Sequence, residues 1–259
     1  MSTVVHPSAI VDSRARLGDR VRIGAYSLVG GNVEVGDDTE IGPHVVVDGH
    51  TSIGARCRFL GQASVGAPPQ DLKYAGGPTR LVMGDDNIVR EFVTLNRATE
   101  HGGGVTRIGN RCMFMAYAHV AHDCTIGDQV VMANAATLAG HVTIEDFAIV
   151  GGLVAIHQFV RIGESVILGG GAMVTLDVPP FCLAAGDRAS LHGLNLVGLR
   201  RRGFSEETIK RLRTAYRVLF QSGHKLRDAL RILREDLAGQ AEVARLIAFI
   251  EASQRGICR

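Results

Sequence analysis

Residues 108–132 read Ile108-Gly-Asn-Arg-Cys-Met-Phe114-Met-Ala-Tyr-Ala-His-Val120-Ala-His-Asp-Cys-Thr-Ile126-Gly-Asp-Gln-Val-Val-Met132, and every sixth residue is large and apolar. The register runs forward through Leu138, Ile144, Val150, Ile156, Ile162 and Leu168 to Val174. Backward it reappears at Leu95, Val89 and Met83 and then in an unbroken run from Val65 to Val5. All 26 such positions are apolar, and 13 of them are followed by glycine, which explains much of a total of 32 glycines in 259 residues. A helix repeats every 3.6 residues and a strand every two, so six denotes a short strand and a turn, repeated. Three such units close a triangular coil of 18 residues, and coils stack through parallel hydrogen bonds about 4.8 Å apart. The large side chain fills the interior, and the small residue four places later packs beside it. Gly, Asp or Asn near the corner takes backbone angles that other side chains resist. The pattern predicts an all-β parallel β-helix prism of eight to nine coils spanning residues 1–186.

Two interruptions are expected to leave the prism as loops, near 66–82 and 99–106. Val65 and Met83 are 18 apart, one coil, with Asp71 and Gly77 in the slots between; the step from Leu95 to Ile108 is 13 residues. Removing one extra residue puts Val65 and Met83 in the column of Val120, with the first loop rooted several coils from it. After Val178-Pro179-Pro180 the period changes. Ser205 followed by Glu206 and Glu207 is a helix start, and Ile209, Leu212, Ala215, Val218 and Leu219 form its apolar face. Two more helices are predicted near 225–237 and 240–253, so residues 187–259 form a small C-terminal α-helical domain capping the prism.

Composition excludes several classes. A net charge of +2 gives no global attraction for nucleic acid or acidic membranes. No apolar run reaches the ~18 residues of a membrane span, and the N-terminal segment lacks the layout of a signal peptide. The five cysteines form no CxxC pair, which argues against a disulfide framework or structural zinc and for a reducing, cytoplasmic setting.

Stacking converts sequence distance into space. Val120, Leu138, Ile156 and Val174 form one column, and His119, His122, His141 and His157 crowd its edge; His6, His44 and His50 read as solvated turn residues. Asp123 follows His122, although neighbours on a strand point to opposite faces. Three chemistries suit this edge. A neutral imidazole can act as general base on a hydroxyl in acyl transfer. Three histidines can hold zinc and activate water, as in hydratases of carbonic anhydrase type. A scaffold can bind without reacting. Cys124 lies nearby without a recognisable nucleophile setting.

Five strings narrow the choice: Ala118-His119-Val120-Ala121-His122-Asp123-Cys124, Leu138-Ala139-Gly140-His141, His157-Gln158-Phe159, Gln70-Asp71-Leu72-Lys73-Tyr74-Ala75-Gly76 and Arg201-Arg202-Gly203-Phe204. Together, and in this order, they resemble the UDP-N-acetylglucosamine O-acyltransferase family of lipid A biosynthesis across nearly the whole chain. The hexads alone would fit other acyltransferases built on such prisms. The resemblance implies a left-handed β-helix and a homotrimer with the site between prisms. It also implies transfer of a 3-hydroxyacyl chain from acyl carrier protein to the 3-hydroxyl of UDP-N-acetylglucosamine, with no cofactor and no metal. It implies His122 as general base, Asp123 as its partner and the Gly140 N–H as oxyanion donor. Asp71, Lys73, His141 and Gln158 match substrate contacts; His119 and His157 line the site; Asn195 and Arg202 match residues that hold uridine and phosphates. Acyl-chain length is set at the position of Gly170, with Gly152 in the same column. Val197 stands where the family has an acidic residue, and Asn96 where relatives have a histidine.

Residues 188–234 hold twelve Lys or Arg against three acids. That stretch suits an acidic partner such as acyl carrier protein, or is an ordinary solvated helix face. No motif or interleaved aromatics support nucleic acid.

Overall fold

The computed structural model describes residues 2–237 and 239–259. Met1 and Ala238, which fall within the expected spans 1–186 and 187–259, lie outside the described residues. Twenty-six short strands from Val4–Val5 to Met173–Val174 each carry one residue of the six-residue register. They form three parallel sheets, here called faces one, two and three in chain order, and wind as a left-handed β-helix. Pairing partners are 18 apart along most of the prism: His119 pairs with Thr137 and Thr137 with Ala155, while Val120, Leu138, Ile156 and Val174 make one column. Phe59, Phe114, Ile126, Met132 and Leu138 fill the interior, and Ala118, Cys124, Ala136 and Val142 pack beside them, all buried.

Two expectations about the corners are corrected. The glycine after the apolar position is there for space. A Cβ at Gly36 would stand 2.6 Å from the carbonyl carbon of Gly54 on the next coil. The left-handed backbone lies two residues further on and is mostly adopted by other residues, among them Tyr117, Asp123, Gln129, His141, Phe147 and Phe159 at φ of 56° to 65°. The stacked turns over-determine a conformation that costs each such residue about 1–2 kcal/mol.

The loops also sit differently. Val65 pairs with Leu95, 30 positions on, and Leu95 pairs with Val120, 25 positions on; the excursions therefore hold 12 and 7 extra residues. Met83 pairs with Ile53 and Ile108 on face three, not in the Val120 column, because the first excursion spans a corner and not a whole coil. Both loops leave from the corner between faces two and three. Their roots lie one and two coils from His122, not several.

The C-terminal part opens with an antiparallel hairpin, Cys182–Ala185 with Ser190–Leu194, and a short helix α1 (Leu196–Arg201), neither of which a period-six or helical pattern indicates. Helices α2 (Glu206–Phe220), α3 (Leu226–Asp236) and α4 (Ala241–Glu251) follow. The Ser205 Oγ caps α2 by accepting the Thr208 N–H at 3.1 Å. The helices share their own apolar cluster around Leu219, Leu233 and Leu246. They are tied to the last coil by Ser253 Oγ donating to Asp177 at 2.7 Å and by Arg161 stacked 4.4 Å over Phe249. Among the described residues no helix is long and apolar enough to cross a membrane.

Candidate active site

His122 and Asp123 occupy a turn, not a strand, and Asp123 has φ of 60°. The turn removes the alternation that would separate neighbours, and His122 Nδ1 lies 2.8 Å from Asp123 Oδ2. Only 1% of the Asp123 side chain and 13% of His122 is exposed, so the pair is screened from water while the imidazole edge stays reachable. With Nδ1–H donating to the carboxylate, Nε2 carries the free lone pair.

One coil on, Gly140 lies over the imidazole. Gly140 is buried, and its N–H has no acceptor among the described residues. His141 sits edge-on to His122, with centroids 5.2 Å apart, and stacks on Phe159 at 4.4 Å. Its Nε2 is 3.9 Å from Asp123 Oδ2. Burial holds the His141 pKa below that of a free imidazole, against the opposing pull of Asp123.

The two excursions close over this corner. Asp71 Oδ1 accepts the Lys73 N–H at 2.9 Å, which, with the charge of His101, holds its carboxyl below the usual range. Asp71 Oδ2 meets His101 Nε2 at 3.2 Å, so one loop grips the other. Glu100 accepts the Gly77 N–H at 2.6 Å, and the Arg97 guanidinium reaches Tyr74 Oη at 3.0 Å and Gly66 O at 2.9 Å. The Lys73 side chain itself is exposed at the rim. Thr99 and His101 were not apparent as site residues in the sequence; the signal that could have found them was the shared corner of the two interruptions.

The remaining candidates spread out. His119 faces outward from face two, with Nδ1 2.6 Å from Thr94 Oγ1, and burial followed by the nearby His122 depresses its pKa. His157 and Gln158 lie on the same corner one coil past Gly140; Arg255 donates to His157 Nδ1 at 2.9 Å. Asn96 is buried at the root of the first loop, donating to Pro68 O at 3.0 Å.

Three residues stand away from His122. Asn195 is buried as the cap of α1, accepting from Gly198 N at 3.0 Å and donating to Ser165 O at 2.9 Å. Arg202 stacks 3.5 Å over Phe147 and bonds Glu164 at 3.2 Å, which places both residues at the corner between faces three and one. Gly170 sits at the corner between faces one and two, with Gly152 beneath it; a Cβ at 170 would approach Gly152 O at 3.3 Å. Val197, in α1, is exposed.

The donor atoms of His122, Asp123 and His141 lie within 4.8 Å of one another, a spacing a metal ion can use. Asp123, however, already accepts from Thr99 N, Thr99 Oγ1 and His122. Among the described residues the group holds two imidazoles and a carboxylate, with neither His119 nor His157 in it, so it is not the three-histidine zinc set. The arrangement suits proton transfer from a hydroxyl. Burial pushes the Cys124 thiol up to about 12, far from a nucleophile's range. Of the basic stretch, Arg200, Arg211, Arg231 and Arg234 pair with Glu206, Glu207, Glu235 and Glu251, while Lys210, Arg213, Arg217, Lys225 and Arg227 are exposed without an ion pair among the described residues.

Comparison with known proteins gives the family. Residues 177–258 match the family described as UDP N-acetylglucosamine O-acyltransferase, domain 2, and residues 14–49 and 106–140 match the bacterial transferase hexapeptide repeat. The acyl-[acyl-carrier-protein]–UDP-N-acetylglucosamine O-acyltransferase of Trichlorobacter lovleyi is 57% identical over 98% of this chain and 99% of its own. That of Myxococcus xanthus is 53% identical over the same shares. The crystal structure of the Moraxella catarrhalis UDP-N-acetylglucosamine O-acyltransferase superposes with a TM-score of 0.96 at 41% identity, covering 98% of this chain and 99% of that one. The Arabidopsis UDP-N-acetylglucosamine acyltransferase does so with 0.88 at 35% identity, covering 99% and 100%. With the fold and the full-length identity in agreement, this chain is an acyltransferase belonging to the acyl-[acyl-carrier-protein]–UDP-N-acetylglucosamine O-acyltransferase family.

Proposed function

We propose that the chain transfers a 3-hydroxyacyl group from acyl carrier protein to the 3-hydroxyl of UDP-N-acetylglucosamine, the first step of lipid A biosynthesis, with His122 as general base. The observation that carries the reading is the Gly140 N–H, free of acceptors among the described residues, above an imidazole whose Nδ1 is engaged by Asp123. His122 Nε2 takes the proton as the sugar oxygen attacks the thioester carbonyl. Gly140 N–H donates to the tetrahedral oxyanion. Collapse expels the carrier's thiolate, which recovers the proton from His122. Asp71, Lys73, His141 and Gln158 contact the acceptor, and His119 and His157 line the cleft.

Gly170, Asn195 and Arg202 join this site only if a second copy brings other edges beside the His122 corner. Support for a homotrimer comes from exposed Tyr26, Phe92, Tyr117 and Leu153 at the corner of faces one and two, with Leu28, Val46 and Met173 exposed on face two. In that assembly Asn195 and Arg202 hold uridine and phosphates, Gly170 limits the acyl chain, and the free basic residues of α2 and α3 meet the acidic carrier protein. The reading places the reaction in the cytoplasm, consistent with five free cysteines.

The test is incubation with UDP-N-acetylglucosamine and a mixture of 3-hydroxyacyl carrier proteins, followed by mass spectrometry. A base-labile ester is the expected product; an alkali-stable amide, or no acyl product, contradicts the reading. His122→Ala is expected to lower turnover by about 10²–10⁴-fold with the circular dichroism spectrum unchanged.

A further inference from the structure

We propose that Thr99 is a positioning residue for acyl transfer, acting through Asp123 on the His122 imidazole. The inference rests on His122 being the base.

Thr99 is fully buried and directs both of its donors at one carboxylate. Its Oγ1–H donates to Asp123 Oδ2 at 2.7 Å, and its N–H lies 3.1 Å from Oδ2 and 3.3 Å from Oδ1. The Gly102 N–H in turn donates to Thr99 Oγ1 at 3.1 Å, so the hydroxyl has both an acceptor and a donor and its proton is directed to Asp123. Gly102 closes the arrangement, since a Cβ there would stand 2.2 Å from Asp123 Cγ. An almost fully buried carboxylate needs such donors to satisfy its oxygens and fix its orientation. Held that way, it accepts the His122 Nδ1–H and leaves Nε2 bare toward the acceptor hydroxyl.

The seven-residue excursion therefore has a second task besides length. Arg97, Glu100 and His101 fasten the first loop, while Thr99, between them, fastens Asp123. One short segment thus ties the loop expected to bind the sugar to the pair expected to move its proton. Thr99 Oγ1 and His122 Nδ1 meet the same oxygen, Asp123 Oδ2, so deleting the hydroxyl loosens the atom that holds the ring.

Thr99→Val keeps the shape and the N–H and deletes the hydroxyl; Thr99→Ser keeps the hydroxyl. The full chain with carrier-bound donor is expected to show kcat lowered about ten- to a hundred-fold in Thr99→Val, a range set by one hydrogen bond to a charged group. The KM for the sugar nucleotide stays within about two-fold and Thr99→Ser recovers most of the loss, since only the donor to Asp123 has changed. In an Asp123→Asn background, Thr99→Val adds little, and nitrogen-15 spectra of Thr99→Val show the His122 Nδ1–H tautomer population reduced. Unchanged kcat in Thr99→Val, fully multiplicative effects with Asp123→Asn, or a Thr99→Ser variant as poor as Thr99→Val would overturn the proposal. His122→Ala separates the two levels. If it retains turnover, the base assignment fails and this inference with it; if it is inactive while Thr99→Val is fully active, only the role of Thr99 falls.

Discussion

The backbone of Gly140 rests on the His122 ring: a Cβ at position 140 would stand 2.4 Å from Cε1 and 2.7 Å from Nε2. Position 140 is fixed by the stacked coils, so the ring makes room only by disturbing its bond to Asp123. Gly140→Ala is therefore expected to tilt the imidazole and crowd the space above the N–H. Loss of a positioned oxyanion donor typically costs about 10²–10³-fold in kcat, and a decrease of that order is predicted in steady-state assays. Unfolding midpoints should fall as well, since the clash strains a buried position of the folded chain.

The contact of His101 with Asp71 joins two loops at a site where the histidine is 46% exposed. Exposed pairs are worth at most about 1 kcal/mol, which limits the effect of breaking one. His101→Ala should raise the KM for UDP-N-acetylglucosamine by about two- to five-fold, with kcat nearly unchanged. Added salt should narrow the difference between variant and parent, and kinetics at low and high ionic strength check both points.

Burial lowers the pKa values of His119 and His141 in the folded chain. Each binds fewer protons folded than unfolded near its own titration range. Their contribution to stability is complete above the unfolded value of ~6.5 and declines as pH falls through the folded values. Denaturation midpoints should thus fall on acidification below about pH 6.5. The slope should be shallower in His119→Gln and His141→Gln, which urea titrations across that window would measure.

Gly170 and Gly152 leave a strip of bare backbone on the corner between faces one and two. A side chain at 170 would project into the groove proposed for the acyl tail. Gly170→Met is expected to move the preferred donor to a shorter chain, read as a changed product ratio when donors compete. An unchanged ratio would remove Gly170 from the acyl groove.

The prism and its columns were legible because a six-residue period admits few structures: one apolar side chain per strand must point inward, and a missed beat exposes it. Hence Val120, Leu138 and Ile156 could be stacked from the letters, and His122 set beside Gly140 with them. The helix beginning at Ser205 was equally plain, since its cap and apolar stripe are local. The hairpin and α1 carry no such period and were not anticipated.

Loop placement was another matter. Excursions contribute no inward beat, so counting residues could not tell whether 66–82 spans a corner or a coil; strand pairing of Met83 with Ile53 does. The pairing of His122 with Asp123 depends on a left-handed turn that period alone does not reveal. The donors of Thr99, the grip of His101 on Asp71 and the bond of Asn195 to Ser165 O join segments far apart in the chain. Periodicity thus dictates the scaffold, because burial of one residue in six is a local demand. The hydrogen-bonded shell around His122 exists only once the coils are stacked, because its members are neighbours in space and not in sequence.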